Sequence, residues 1–150
     1  MATAITVRVQ IDGVRDALQA FRELPKDAND RLRDESMKLA TRLAERVKAD
    51  GMADAAPQSP LVATTVKARR DRVPVIEAGG TKRLGSRRAP AYKLLFGSLF
   101  GSNAYRQFHR PHGGRDAYWF FPIVEEAAPE ISATWNRVAD EIVRDFSAGG

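Results

Sequence analysis

Hydrophobic and polar positions alternate strictly at the start of the chain. Ile5, Val7, Val9 and Ile11 are separated by single polar residues. A period of two places all four side chains on one face of an extended segment. The pattern therefore predicts a strand near residues 4 to 11 with one buried face.

A short amphipathic helix is expected after this strand. Asp12 is placed to cap its N-terminus, and Val14, Leu18 and Phe21 recur at spacings of three and four residues. Pro25 then interrupts the pattern. The spacing predicts a helix that ends before Pro25.

Two longer stretches show the helical spacing of apolar residues. The first covers about residues 27 to 50, and Gly51 follows it as the expected C-terminal cap. The second begins near Pro122 and continues to Phe146. A kink or a fresh start is expected near Pro129, because an interior proline costs a helix about 3 kcal/mol. Two long amphipathic helices are thus predicted.

The middle of the chain has the composition of strands and turns. Residues 61 to 69 and 73 to 78 are rich in Val, Thr and Ile, and Asp71-Arg72 could join them as a hairpin. Glycines and basic residues follow with almost no apolar residue to bury. This composition predicts a flexible basic loop over about residues 79 to 91.

The predicted elements combine into one α+β domain over residues 1 to 150. A chain of 150 residues fits a single domain, which buries roughly 70% of the surface that its unfolded form exposes. We expect a small antiparallel sheet, built from the N-terminal strand and the central hairpin, to pack against the two long helices.

Charge is distributed unevenly along the chain, and the net charge of +5 conceals this. Residues 1 to 66 carry ten basic and ten acidic side chains. Residues 67 to 115 carry twelve basic and two acidic ones, whereas residues 116 to 150 carry two basic and seven acidic ones. The basic middle could bind nucleic acid, or it could meet the acidic end of a neighbouring copy.

The basic residues of the middle segment are candidates for one of two contacts. They could line a channel that carries DNA, where phosphates are neutralised without base readout. They could instead form an arm that packs on acidic patches of adjacent subunits. The candidates are Arg69, Arg70, Arg72, Lys82, Arg83, Arg87 and Arg88.

Aromatic residues are concentrated late in the chain. Nine of the twelve lie between residues 91 and 126, among glycines and arginines. Exposed aromatic patches usually mark protein contacts, with aromatic residues and Arg as the common anchors. We expect some of Trp119 to Phe121 to anchor the last helix. The candidate subunit contacts are Phe96, Phe100, Tyr105, Phe108 and Arg110.

The sequence offers no convincing catalytic or metal site. There is no cysteine, which excludes disulfides and thiolate chemistry. His109 and His112 lack a ligand set around them, and consecutive acids such as Glu125 and Glu126 point apart on a helix. We therefore predict no enzyme activity and no cofactor. No apolar run approaches the roughly 20 residues of a membrane helix, so no membrane partner is expected.

Several short motifs, in their order along the chain, resemble a known family. They are Arg22-Glu23-Leu24-Pro25 before the long helix, the turns Leu95-Phe96-Gly97-Ser98 and Leu99-Phe100-Gly101-Ser102, and Trp119-Phe120-Phe121-Pro122 before the last helix. This order is similar to that of the neck or tail-completion proteins of long-tailed bacteriophages, which are tail components of the head-to-tail connector region. Ser59-Pro60-Leu61 departs from that family, which has Thr-Gly-Xaa-Leu before its hairpin.

The resemblance implies a structural virion protein of the phage neck. Such a head-to-tail connector or tail-completion subunit would form a homo-oligomeric ring around the DNA channel, with six copies favoured and twelve as the portal-side alternative. Its partners would be neighbouring connector, tail-terminator and tail-tube proteins, with non-specific DNA in the channel. It would be assembled in the host cytoplasm and located in the virion. The rival interpretation is a nucleic-acid-binding protein that uses the basic segment 67 to 115 directly.

Overall fold

Two helices of 28 residues each and a three-stranded antiparallel sheet make up most of the described structure. The computed structural model describes residues 4–54, 59–79, 83–84, 89–90 and 120–148. The elements in chain order are β1 (Ala4–Arg8), α1 (Val14–Arg22), α2 (Lys26–Ala53), α3 (Ser59–Ala63), β2 (Lys67–Arg69), β3 (Val75–Gly79), β4 (Arg83–Leu84), β5 (Ala89–Pro90) and α4 (Phe121–Ala148).

The sheet has the strand order β1-β3-β2, with β3 paired antiparallel to both neighbours. Val7 lies opposite Ile76, which lies opposite Ala68 on the other side. These three side chains belong to the core or pack against it. The alternation along β1 therefore sets the buried face as expected, and the predicted α+β architecture is confirmed.

The two long helices run antiparallel against each other. Near one end Arg31 of α2 contacts Asp145 of α4 at 2.7 Å, and near the other end Arg46 of α2 lies 3.9 Å from Glu126 of α4. α2 also contacts β2 and β3, so it lies at the centre of the fold. The largest fully buried side chains are Trp135, Phe21, Phe120, Leu32, Leu43, Ile76 and Ile142.

The connection between β1 and α1 differs from the predicted cap. Gly13, with a φ of 69°, is the residue that precedes α1, and no side chain caps the helix. The backbone N–H of Asp12 instead donates to Ser132 Oγ at 2.9 Å, and the carbonyl of Asp12 accepts from Asn136 Nδ2 at 3.0 Å. Asp12 is therefore committed to α4 through its backbone, and the prediction that it caps α1 was wrong.

The predicted strand over residues 61 to 69 is partly helical. Residues 59 to 63 form α3, and only residues 67 to 69 form a strand. Pro60 suits the first turn of a helix because it has no N–H to lose there. Thr64 and Thr65 donate their hydroxyls back to the carbonyls of Leu61 and Val62, at 2.6 and 2.7 Å. These bonds lie where the helix gives way to the strand.

The ends of the long helices also differ from expectation. Gly51 lies inside α2 and is buried, so it is not the C-terminal cap. Met52 and Ala53 continue the helix, since both have high helix propensity. α4 is continuous through Pro129, so no fresh start occurs there. The short antiparallel pair of β4 with β5 lies inside the predicted basic loop and was not foreseen.

Candidate interface surfaces

The outer face of the sheet carries a group of basic side chains. The strand register places Arg8 and Arg69 on either side of Val75, and Thr6 and Lys67 on either side of Glu77. Because side chains alternate along a strand, these residues point away from the core-facing side of the sheet. The side chains of Arg8 and Lys67 are each 70% exposed. We call Arg8, Lys67 and Arg69 the basic face.

Ion pairs within the chain neutralise part of this charge. Lys67 Nζ lies 3.2 Å from Glu77 Oε1, and Arg8 lies 3.8 Å from Asp71. Each pair joins an exposed cation to a half-buried carboxylate and contributes about 1 kcal/mol. Among the described residues, no ion pair includes Arg69. Arg69 is therefore the member of the basic face most available to an external anion.

The other described candidates have different surroundings. Arg70 is paired with Asp34 of α2, which ties the end of β2 to that helix. Arg72 is half-buried, and its carbonyl is held in a polar network. Arg83 lies in β4, but its side chain is not among those described. Lys82, Arg87 and Arg88 lie outside the described residues. The structure thus brings Arg69, Arg70 and Arg72 together on one strand and turn.

The polar network under Arg72 fixes the turn between β2 and β3. Ser36 Oγ donates to the Arg72 carbonyl at 2.8 Å. The indole N–H of Trp135 donates to the same carbonyl at 2.9 Å and to Ser36 Oγ at 3.1 Å. Ser36 is fully buried and Trp135 is 1% exposed. The Arg72 carbonyl therefore links α2 and α4 to the turn between β2 and β3. Nothing in the sequence pattern predicted this link.

The solvent face of α4 has the opposite charge. The helix carries six acidic and two basic side chains over residues 121 to 148, a net charge of −4. Its buried stripe includes Val124, Ile131, Trp135 and Ile142, so the charged residues face away from the core. Within the described parts of the chain, Glu130, Asp140 and Glu141 are exposed and belong to no ion pair. We call these three residues the acidic face.

A small groove lies between the two long helices. Its cavity volume is about 150 Å³, and Leu39, Leu43, Ala127 and Ile131 are among its lining residues. Arg42, Arg46 and Glu130 also line it. It is a concavity of the size that holds one small apolar group.

The expected aromatic contacts fall mostly outside the described structure. Phe96, Phe100, Tyr105, Phe108 and Arg110 lie there, so their place at a subunit contact stays a prediction. Phe120 is described and fully buried in the main core cluster just before α4. This agrees with the expectation that part of the Trp119 to Phe121 block anchors the last helix.

The described ranges contain little that suggests metal or membrane chemistry. No group of three or more His, Cys, Asp or Glu residues that could hold a metal ion occurs among them. His109 and His112 lie outside them. None of the described helices combines the length and apolar character needed to cross a bilayer.

One local ion pair shifts the titration of its members. The hydrogen bond from Lys26 lowers the pKa of the Asp30 carboxyl and in turn raises the pKa of the Lys26 amine. The two groups lie 2.7 Å apart in the first turns of α2.

Comparison of the chain with protein-family models, with curated proteins and with solved structures finds no significant match.

Proposed function

We propose that this chain is a structural subunit of the neck of a long-tailed bacteriophage, a head-to-tail connector or tail-completion protein that forms a homo-oligomeric ring around the DNA channel. The sequence resemblance gives the class. The observation that carries the proposal is that one chain exposes a basic surface on its sheet and an acidic surface on α4. A ring subunit needs two different surfaces that fit each other, because every copy contacts two neighbours.

The interior of the fold is suited to presenting these surfaces rigidly. The turn that follows Arg69 is fastened to both long helices by the Trp135 network. The connection from β1 to α1 is fastened to α4 through Ser132 and Asn136. Both charged surfaces are thus held by elements that share one core. Rigid presentation lowers the entropy cost of assembly.

Electron microscopy of the purified protein tests the proposal. We expect closed rings with cyclic symmetry, six copies being favoured over twelve. The genes that flank this one provide an independent check, since a neck protein should be encoded beside portal, capsid and tail-tube proteins. A protein that stays monomeric at high concentration, encoded within a metabolic or regulatory cassette, would refute the proposal.

A second candidate function is nucleic-acid binding through the basic segment 67 to 115. The pair Arg8 and Arg69 favours it, because the two residues flank Val75 across three strands and are about 10 Å apart at their Cα atoms. The ion pairs of Lys67 and Arg70 reduce the charge available to phosphates. If this function holds, the isolated monomer should bind DNA with an affinity that falls steeply with salt, with a slope equivalent to several phosphates.

A further inference from the structure

We infer that the basic face of one copy docks on the acidic face of α4 in the next copy, and that this contact repeats around the assembly. The inference rests on the proposed ring function and names the surfaces that build it. The partner is a second copy of this chain, and the contact is heterologous because the two surfaces differ.

The two surfaces cannot satisfy each other within one chain. The basic face points away from the core-facing side of the sheet. The acidic face consists of exposed side chains of α4, of which Glu130 lines the groove against α2. Both therefore face outward from the same core. Among the described residues, no ion pair joins Arg8, Lys67 or Arg69 to any residue of α4.

The net charges of the two surfaces are opposite in sign and similar in magnitude. Residues 4–8 and 67–79, which contain the sheet strands and their turn, carry five basic and two acidic side chains. α4 carries two basic and six acidic ones. The net charges are therefore +3 and −4. Opposed potentials of this kind steer association and fix its register.

The residues without an ionic partner in the described chain are the ones available to form ion pairs across the contact. Arg69 in the sheet and Glu130, Asp140 and Glu141 in α4 have no ionic partner within the described chain. Besides Arg144, the exposed side of α4 carries one further basic residue, Arg137. Its removal should not weaken a contact that depends on negative charge.

Charge reversal on each surface tests the inference. The first variant, R8E with R69E, makes the sheet face acidic. The second, D140K with E141K, brings the net charge of α4 from −4 to 0 and makes the stretch from 137 to 144 basic. We expect each variant alone to remain folded by circular dichroism but to need a protein concentration about tenfold higher or more for assembly at low salt. The wild type should also dissociate as salt rises.

Mixing the two variants gives the sharpest readout. The reversed sheet of the first variant fits the reversed α4 of the second, and the unchanged surfaces of the two variants still fit each other. The mixture should therefore assemble at a protein concentration at which neither variant assembles alone. Native mass spectrometry should show equal numbers of the two chains in the assembled particle. A single chain that carries all four substitutions should also recover assembly.

Two single charge reversals serve as control variants. E45K reverses an exposed acid of α2 that forms no ion pair among the described residues and lies outside both surfaces, so assembly should be unaffected. R137E makes the α4 surface more acidic, and assembly should be retained or strengthened.

The possible failures separate the inference from the proposed function. If the wild type is monomeric under all conditions, the ring function is refuted and the inference fails with it. If the wild type forms rings that both double variants also form at wild-type concentrations, only the docking surfaces are wrong. If R8E with R69E abolishes DNA binding but leaves ring formation unchanged, the basic face is a nucleic-acid surface and the inference is overturned.

Discussion

Replacing Trp135 by Phe tests whether its indole N–H stabilises the turn between β2 and β3. The substitution keeps an aromatic ring at a site that is 1% exposed, but it removes the indole N–H that reaches Ser36 Oγ and the Arg72 carbonyl. Losing this hydrogen bonding costs about 0.5 to 1.5 kcal/mol. The space left by the smaller ring adds about 1 to 3 kcal/mol. We expect W135F to lower the free energy of unfolding by about 1.5 to 4.5 kcal/mol.

The second member of the network makes the test more specific. S36A should cost about 1 kcal/mol, because the Arg72 carbonyl still accepts the indole N–H. In W135F alone the same carbonyl keeps the Ser36 hydroxyl at 2.8 Å. The double variant, W135F with S36A, removes both donors of the Arg72 carbonyl. Leaving this carbonyl without a hydrogen bond adds about 1 to 3 kcal/mol to the loss of stability. The double loss should therefore exceed the sum of the single losses by about 1 kcal/mol or more.

Urea unfolding followed by far-UV circular dichroism measures these free energies without relying on tryptophan fluorescence. R137A, an exposed change on the same helix, is the control and should stay within about 0.5 kcal/mol of the wild type. Additivity of W135F and S36A within about 0.3 kcal/mol would refute the shared network. So would a loss below about 0.5 kcal/mol for W135F.

Three further predictions concern local backbone and charge. G13A should lower the unfolding free energy by about 1 kcal/mol, and G13N should lower it less. The reason is the φ of 69°, which disfavours a side chain although a Cβ would meet no atom within 4 Å. Equal stability of G13A and the wild type in urea would contradict this. P129A should raise it by about 1 to 3 kcal/mol, since proline is disfavoured inside a continuous helix; no gain in the urea midpoint would contradict this. By NMR titration Asp30 should protonate below its ordinary pKa of 3.8, and K26M should return it toward that value. The lowered pKa makes the contribution of Asp30 to stability present above pH 3.8 and lost as pH falls through the folded-state pKa; an unchanged Asp30 titration in K26M would contradict the cause.

The sequence predicted the elements whose apolar residues are strictly periodic. β1 and the two long helices follow from spacings of two and of three to four residues, because each element buries one continuous stripe. The buried set of α2 includes Leu32, Leu39, Leu43 and Val47, which recur at these helical spacings. Local periodicity was sufficient wherever one face of an element meets the core.

The errors occurred where local signals compete with tertiary contacts. Asp12 has the side chain of a helix cap, but its backbone groups are used by Ser132 and Asn136, more than 100 positions away. The segment from Leu61 has strand composition, but Pro60 and the back-bonding of Thr64 and Thr65 favour one helical turn first. No local pattern reveals partners so distant in the sequence.

The candidate surfaces were predictable only in part. The charge partition along the chain anticipated a basic and an acidic surface, and α4 indeed places its acids on the solvent side. The inclusion of Arg8 could not be foreseen, because it depends on the register that pairs β1 with β3. The ion pair of Arg70 with Asp34 could not be foreseen either, because it joins residues 36 positions apart.

The mass of the assembled particle tests the central claim most directly. Native mass spectrometry of the wild-type protein at low ionic strength should give one closed homo-oligomer, with six copies as the favoured result and twelve as the alternative. Rising salt should convert it to subunits, since complementary charge contributes to the contact. A monomer at every protein concentration, or an open series of sizes without a closed species, would contradict the account.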